Sequence, residues 1–220
     1  QSILVEAERQ AAPVSQLGDE FGYRSGQYWC LDSDGENVVY SVEHMGWLPS
    51  ASVAGALQAA HLGGFAPDKP RFDEVLNHTR LAGRMQQIQW HGRHLILDVA
   101  HNPSAAEFLY QQISQIPNRE RVLAVVGMYA DKDFSAVLNV MNGVIDAWYL
   151  AETDESRSAS STVLKKALAE EMQPVARCYA KVVSAFEAAF EASGPGTIIL
   201  VFGSFPVVGT VLDLLEVEPF

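Results

Sequence analysis

Cysteine is scarce: Cys30 and Cys178 are the only two in 220 residues. They stand far apart and without metal-ligand spacing, which argues against a disulfide framework or a thiolate metal centre. Free thiols in a reducing cytoplasm are the expected reading. Positive charge is also short, with 15 Lys and Arg against 27 Asp and Glu and a net charge of −12. That balance disfavours nucleic acid as a partner, because binding it requires basic surface to replace phosphate counterions. A small anionic ligand stays compatible with it, since one site can be positive on an acidic protein. No uninterrupted apolar run approaches membrane-spanning length, so no membrane partner is expected. The opening residues Gln1-Ser2-Ile3-Leu4-Val5-Glu6 have no Met, no basic region and no signal-peptide core. The expectation is a chain that begins inside a longer protein. Several catalytic signatures are missing as well. There is no Gly-x-x-x-x-Gly-Lys-Ser/Thr cradle, no Gly-x-Gly-x-x-Gly after the first strand, no Gly-x-Ser-x-Gly elbow and no His-Glu-x-x-His.

What is present is a regular alternation of short apolar runs and helical patterns. The first part is irregular. Ile3-Leu4-Val5 reads as a strand and residues 12–21 as a short helix. Residues 27–31 and 37–42 flank Asp32-Ser33-Asp34-Gly35-Glu36 as a hairpin. Helices are expected over 51–61 and 71–79, and Ala82-Gly83 is the expected domain boundary. Residues 84–90 and 94–98 then read as a second hairpin. Helix 104–116, strand 122–126, helix 134–141, strand 147–150, helix 162–172, strand 176–180, helix 183–192, strand 197–202 and helix 207–215 follow. Repeated strand-helix units imply an α/β fold, a mostly parallel Rossmann-like sheet flanked by helices.

Four polar stretches fall at predicted strand ends: 98–102, 127–133, 152–158 and 203–205. In a parallel sheet they gather on one edge, where open α/β folds bind ligands. Leu97-Asp98-Val99-Ala100-His101-Asn102-Pro103 is the most informative of them. Asp98 has the chemistry to accept from a ribose diol, and equally Asp98 or Asn102 can cap the helix that follows. His101 is a donor to a carboxylate or phosphate, or a satisfied structural histidine. Arg84, after Gly83, matches phosphate in fork geometry, or is a solvated surface arginine. Asp131 or Asp133 reads as a helix cap, Lys132 as a phosphate ligand or, more readily, one half of an exposed salt bridge, and 152–157 as a solvated charge run. Gly203-Ser204-Phe205 offers amides and a hydroxyl to an anion, or simply bends the chain after a strand.

In order and spacing, Gly83-Arg84, Asp98-Val99-Ala100-His101-Asn102-Pro103, Gly127-Met128 with Asp131-Lys132-Asp133, and Gly203-Ser204-Phe205 resemble one family. It is the bacterial dihydrofolate synthase/folylpolyglutamate synthase branch of the Mur ligases. The resemblance runs over nearly the whole chain and is strongest from Leu48 to Val211. It implies that residues 1–82 are the end of a P-loop ATPase domain whose N-terminal part is missing here. Residues 83–220 would be the Rossmann-like C-terminal domain. The implied reaction uses ATP and Mg2+ to activate a carboxylate of dihydropteroate or folate, and the amine of L-glutamate then attacks the acyl phosphate. The main metal ligands would lie in the missing part, with no metal ligand here and the fragment alone inactive. Carried over by position, Arg84 reaches ATP phosphate, Asp98 binds the ribose, and His101 and Ser204 hold glutamate or the acyl substrate. Arg157 matches an arginine common in that loop. Ser52 occupies the position that usually carries an Asn against adenine. Met85 stands in place of the usual Phe, Ala82 in place of Pro, and Pro206 in place of His. Two other readings are a Mur-type ligase that extends a peptidoglycan precursor and a non-catalytic α/β nucleotide-binding module.

Overall fold

The structure is a computed structural model that describes residues 2–42 and 48–217. Its contacts divide the chain into two units, Gln1–Thr79 and Arg80–Phe220. The division falls three residues ahead of Gly83, where the second domain was expected to begin.

The first unit contains α1 (Ser2–Arg9), a three-stranded antiparallel sheet β1 (Gly22–Arg24), β2 (Gln27–Leu31) and β3 (Asn37–Ser41), then α2 (Ser50–Leu62) and α3 (Lys69–His78). The β2–β3 hairpin forms where the Asp-Gly signal placed it. Asp32 Oδ1 accepts from the amides of Asp34 and Glu36, each at 2.9 Å. Two expectations fail here. Ile3-Leu4-Val5 is helical, because Glu6, Ala7, Glu8 and Arg9 continue it with good helix formers and Arg9 Nε donates to Glu6 at 2.9 Å. Residues 12–21 form no helix: Pro13 and a left-handed Gly18 break the run, leaving turns and a bridge between Leu17 and Phe21. Tyr28, Tyr40, Leu57, Phe72 and Leu76 pack as the centre of this unit's core. Gln58 serves it by accepting from the amide of Leu31 and donating to its carbonyl, both at 2.9 Å.

The second unit is a six-stranded sheet. Its strands are β4 (Gln86–Trp90), β5 (Arg93–Asp98), β6 (Arg121–Val126), β7 (Ala147–Ala151), β8 (Ala176–Tyr179) and β9 (Thr197–Phe202). The order across the sheet is β4-β5-β9-β6-β7-β8, with only β4 antiparallel. Between the strands run α4 (Pro103–Ser114), α5 (Phe134–Met141), α6 (Ser161–Ala167) and α7 (Val182–Ala192), and α8 (Phe205–Leu215) follows β9. The expected helix 162–172 is shorter, because Leu168 turns extended and a 3-10 segment Glu170–Val175 containing Pro174 follows.

Period-two alternation in the central strands feeds two cores. Ile96, Val122, Ala124, Ile198 and Leu200 point to the side covered by α4, α5 and α6. Leu95, Leu97, Leu123, Val125, Ile199 and Val201 point to the side covered by α7 and α8. Strands buried on both faces read as continuous apolar runs, and this explains why β6 and β9 were legible. The chain leaves β5 for α4 on one face and leaves neighbouring β9 for α8 on the other. Connections that depart in opposite directions from adjacent strands open a crevice at their carboxyl ends.

Candidate active site at the carboxyl edge of the sheet

Parallel register places Asp98 beside Phe202, Val126 beside Phe202, and Leu150 beside Val126. The loops after β5, β9, β6 and β7 therefore share one edge. Arg84, Asp98, His101 and Ser204 all belong to this unit, whereas Ser52 is an exposed residue in the first turn of α2 in the other.

Asp98 organises the edge. It is only 6 % exposed. Its Oδ2 accepts from the amide of Met85 at 2.9 Å and its Oδ1 from the amide of Ala100 at 2.8 Å. One carboxylate thus fastens the turn that carries Arg84 to the loop that carries His101. Burial pushes its pKa above the usual carboxylate value, and the two amides and the nearby Arg84 charge oppose that rise. The helix-cap duty falls to Asn102, whose Oδ1 accepts from Ala105 at 2.9 Å with Pro103 in the first turn.

The Arg84 turn is tightly defined. Gly83 (φ +62°) and Met85 (φ +45°) are both left-handed. A Cβ on Gly83 would sit 2.8 Å from Val99 Cγ1, and the Gly83 carbonyl accepts from the Val99 amide at 2.8 Å. The Arg84 guanidinium lies over the Phe205 ring, 5.8 Å from its centroid.

His101 places Nδ1 2.8 Å from the Val99 carbonyl. A carbonyl only accepts, so Nδ1 carries a hydrogen and the neutral ring presents Nε2 as an acceptor. Ser204 is 3 % exposed, and its hydroxyl donates to the Gly127 carbonyl at 3.0 Å, tying the end of β9 to the end of β6. Gly203 before it has φ +116°, and a Cβ there would lie 2.6 Å from the Gly127 oxygen. No side chain caps α8.

The loops after β6 and β7 are joined by a bridge between Tyr129 and Ser158. Asp131 accepts from Arg157 at 2.8 Å and pairs with Lys132 at 3.1 Å, and Arg157 stacks on Tyr129 at 4.6 Å. The Arg157 hydrogen bond, followed by that from Lys132, lowers the Asp131 carboxyl to about 2. Asp133 caps α5 through Ala136 at 3.1 Å, and Glu152 accepts from the Ser161 amide and hydroxyl at 3.2 Å. These charges therefore latch loops together. The sequence reading included Phe205 in the Gly-Ser-Phe motif and Tyr129 in the 127–133 stretch but gave neither ring a role, and both are ring partners of arginines at this edge. Their signal was an aromatic directly beside a strand-end glycine motif. A depression of about 320 Å3 at the opposite edge, bordered by His94, Arg119 and Gly196, touches none of these residues.

The family profile described as "Mur ligase, glutamate ligase domain" matches residues 83–205, more than half of the chain. The chain belongs to the Mur ligase family. Its match to this family takes in the Arg84 turn, the Asp98–His101 loop and the Ser204 bend. Among curated relatives, the Escherichia coli dihydrofolate synthase/folylpolyglutamate synthase is 29 % identical over 210 residues, covering 96 % of this chain and 48 % of the relative. The structure of E. coli FolC in complex with DHPP and ADP superposes with a TM-score of 0.80 at 27 % identity, over 98 % of this chain and 50 % of that one. A bifunctional folylpolyglutamate synthase/dihydrofolate synthase with Mn, AMPPNP and L-glutamate bound gives a TM-score of 0.83 at 28 % identity, over 99 % and 51 %. This Mur ligase chain spans about half the length of the curated relatives it matches.

Proposed function

We propose that this chain is the C-terminal, glutamate-ligase part of an ATP-dependent amide ligase that joins L-glutamate to dihydropteroate or a folate through an acyl phosphate. The observation that carries the reading is the Asp98 carboxylate, which joins an arginine turn to a histidine loop at the crevice of a glutamate ligase domain. The solved relatives bound to ADP and DHPP, or to AMPPNP and L-glutamate, favour the folate substrate over a peptidoglycan precursor. A cytoplasmic setting goes with this reading. The two cysteines are free, and no helix among the described residues is long and apolar enough to cross a membrane.

ATP supplies the phosphoryl group that turns a carboxylate into an acyl phosphate. Arg84 brings a planar cation to its phosphates. Each Asp98 oxygen keeps a further lone pair for a ribose hydroxyl. His101 offers Nε2 to the ammonium of the incoming glutamate and is the group placed to take its proton, freeing the amine for attack. The donor hydrogen of Ser204 is engaged by Gly127, so its lone pairs are what it offers a substrate amine. Among the described residues no group of three or more His, Cys, Asp or Glu is arranged to hold a metal. In the proposed ligase the main magnesium ligands would lie outside this chain, as the family resemblance implies.

The test is a hybrid in which this chain replaces the matching half of the E. coli relative. ADP formation dependent on both dihydropteroate and L-glutamate is expected. Arg84→Ala is expected to lower kcat by roughly 100-fold, the scale of losing one charge-stabilising donor. Activity with a UDP-muramyl peptide in place of dihydropteroate would overturn the folate assignment. Glutamate-dependent ADP release by residues 1–220 alone would overturn the expectation that the chain is inert by itself.

A further inference from the structure

Four arginines of the second unit lie over aromatic rings: Arg84 over Phe205, Arg93 over Phe190, Arg157 over Tyr129 and Arg177 over Tyr149. Three of them also have a guanidinium N–H engaged. Arg93 donates to Ser193 at 2.9 Å, Arg157 to Asp131 at 2.8 Å and Arg177 to the Tyr149 hydroxyl at 3.3 Å. Among the described residues the Arg84 guanidinium donates to none. A guanidinium attracted to a ring by its charge spends none of its five N–H donors on that contact, so the Arg84 fork stays available.

We propose that Phe205 is a positioning residue: its ring parks the Arg84 guanidinium at the carboxyl edge, ready for a polyphosphate. Phe205 is 63 % exposed, so the face of its ring is open at the surface, and the Arg84 guanidinium lies over it. Its own position is fixed by the left-handed Gly203 before it and by the Ser204–Gly127 hydrogen bond. The Arg84 backbone is fixed from the other side by Gly83, Met85 and Asp98. The side-chain torsions of Arg84 are the freedom that remains, and the ring restricts them. An arginine already ordered loses less entropy when an anion arrives. The proposal rests on the reading of Arg84 as a phosphate ligand.

The test uses the 220-residue chain with labelled arginine, as wild type, Phe205→Leu and Phe205→Tyr, titrated with inorganic tripolyphosphate and followed by NMR. In the wild type and Phe205→Tyr, Arg84 side-chain protons are expected to carry a ring-current shift that Phe205→Leu lacks. The midpoint of the tripolyphosphate response at Arg84 Nε–H is expected about 2–5-fold higher in Phe205→Leu, the equivalent of ~0.5–1 kcal/mol, and restored in Phe205→Tyr. An unchanged backbone spectrum away from residues 84 and 205 shows that the variants fold. A response with the same midpoint in all three variants would overturn the role of Phe205 and leave the phosphate reading standing. An Arg84 signal that ignores tripolyphosphate in every variant would overturn the phosphate reading and the proposal with it.

Discussion

Asp98 accepts two backbone amides from two different segments, and Asn cannot replace it in both contacts. An amide side chain offers one acceptor oxygen and turns its NH2 toward the other amide. Asp98→Asn is therefore expected to destabilise the second unit by ~1–3 kcal/mol, the cost of one buried unsatisfied donor. The pH dependence has a definite sign. Burial raises the Asp98 pKa in the folded state. Its contribution is then full below the unfolded carboxyl value and declines as pH rises through the raised one. The deficit of the Asn variant should accordingly be larger in acid than at neutral pH. Urea unfolding of both proteins at a series of pH values checks this, and a deficit that grows toward neutral pH would reverse the account of Asp98.

At the level of elements, the bend after β9 shows how strictly the edge is built. Gly203→Ala places a Cβ 2.6 Å from the Gly127 carbonyl, at a φ of +116° that L residues rarely adopt. We expect a loss of at least ~1–3 kcal/mol, measured by thermal or urea unfolding. Near-native stability would mean that the bend is looser than described. Most of this unit was legible because its strands are continuous apolar runs and its helices carry clear caps, as with Asn102-Pro103 before α4 and Asp133 before α5. The carboxyl-edge cluster was legible for the same reason, since alternating strand and helix fixes which loops share an edge. The failures have local causes. Ile3-Leu4-Val5 has β-favouring composition, but its helix is carried by the four residues after it. The end of α6 depended on Leu168 turning extended, which no residue type there announces. The Met85 turn was invisible because positive φ at a non-glycine is set by the Asp98 contact thirteen residues away in sequence.

For the whole molecule, the exposed apolar residues of the first unit have a consequence in solution. Ile3 is 79 % and Val5 65 % exposed on α1, and Val14 and Leu17 are exposed after it. Neighbouring apolar side chains open to water favour association. Light scattering is expected to show concentration-dependent self-association that Ile3→Lys with Val5→Lys reduces. Equal monodispersity of the two proteins at all concentrations would contradict this. The most direct test of the central claim, that the carboxyl edge of the second unit binds ligand, is a backbone NMR titration of the chain with AMPPNP and L-glutamate. Saturable shifts are predicted at residues 83–85, 98–102 and 203–205. Shifts confined to the opposite edge, around His94, Arg119 and Gly196, would contradict it.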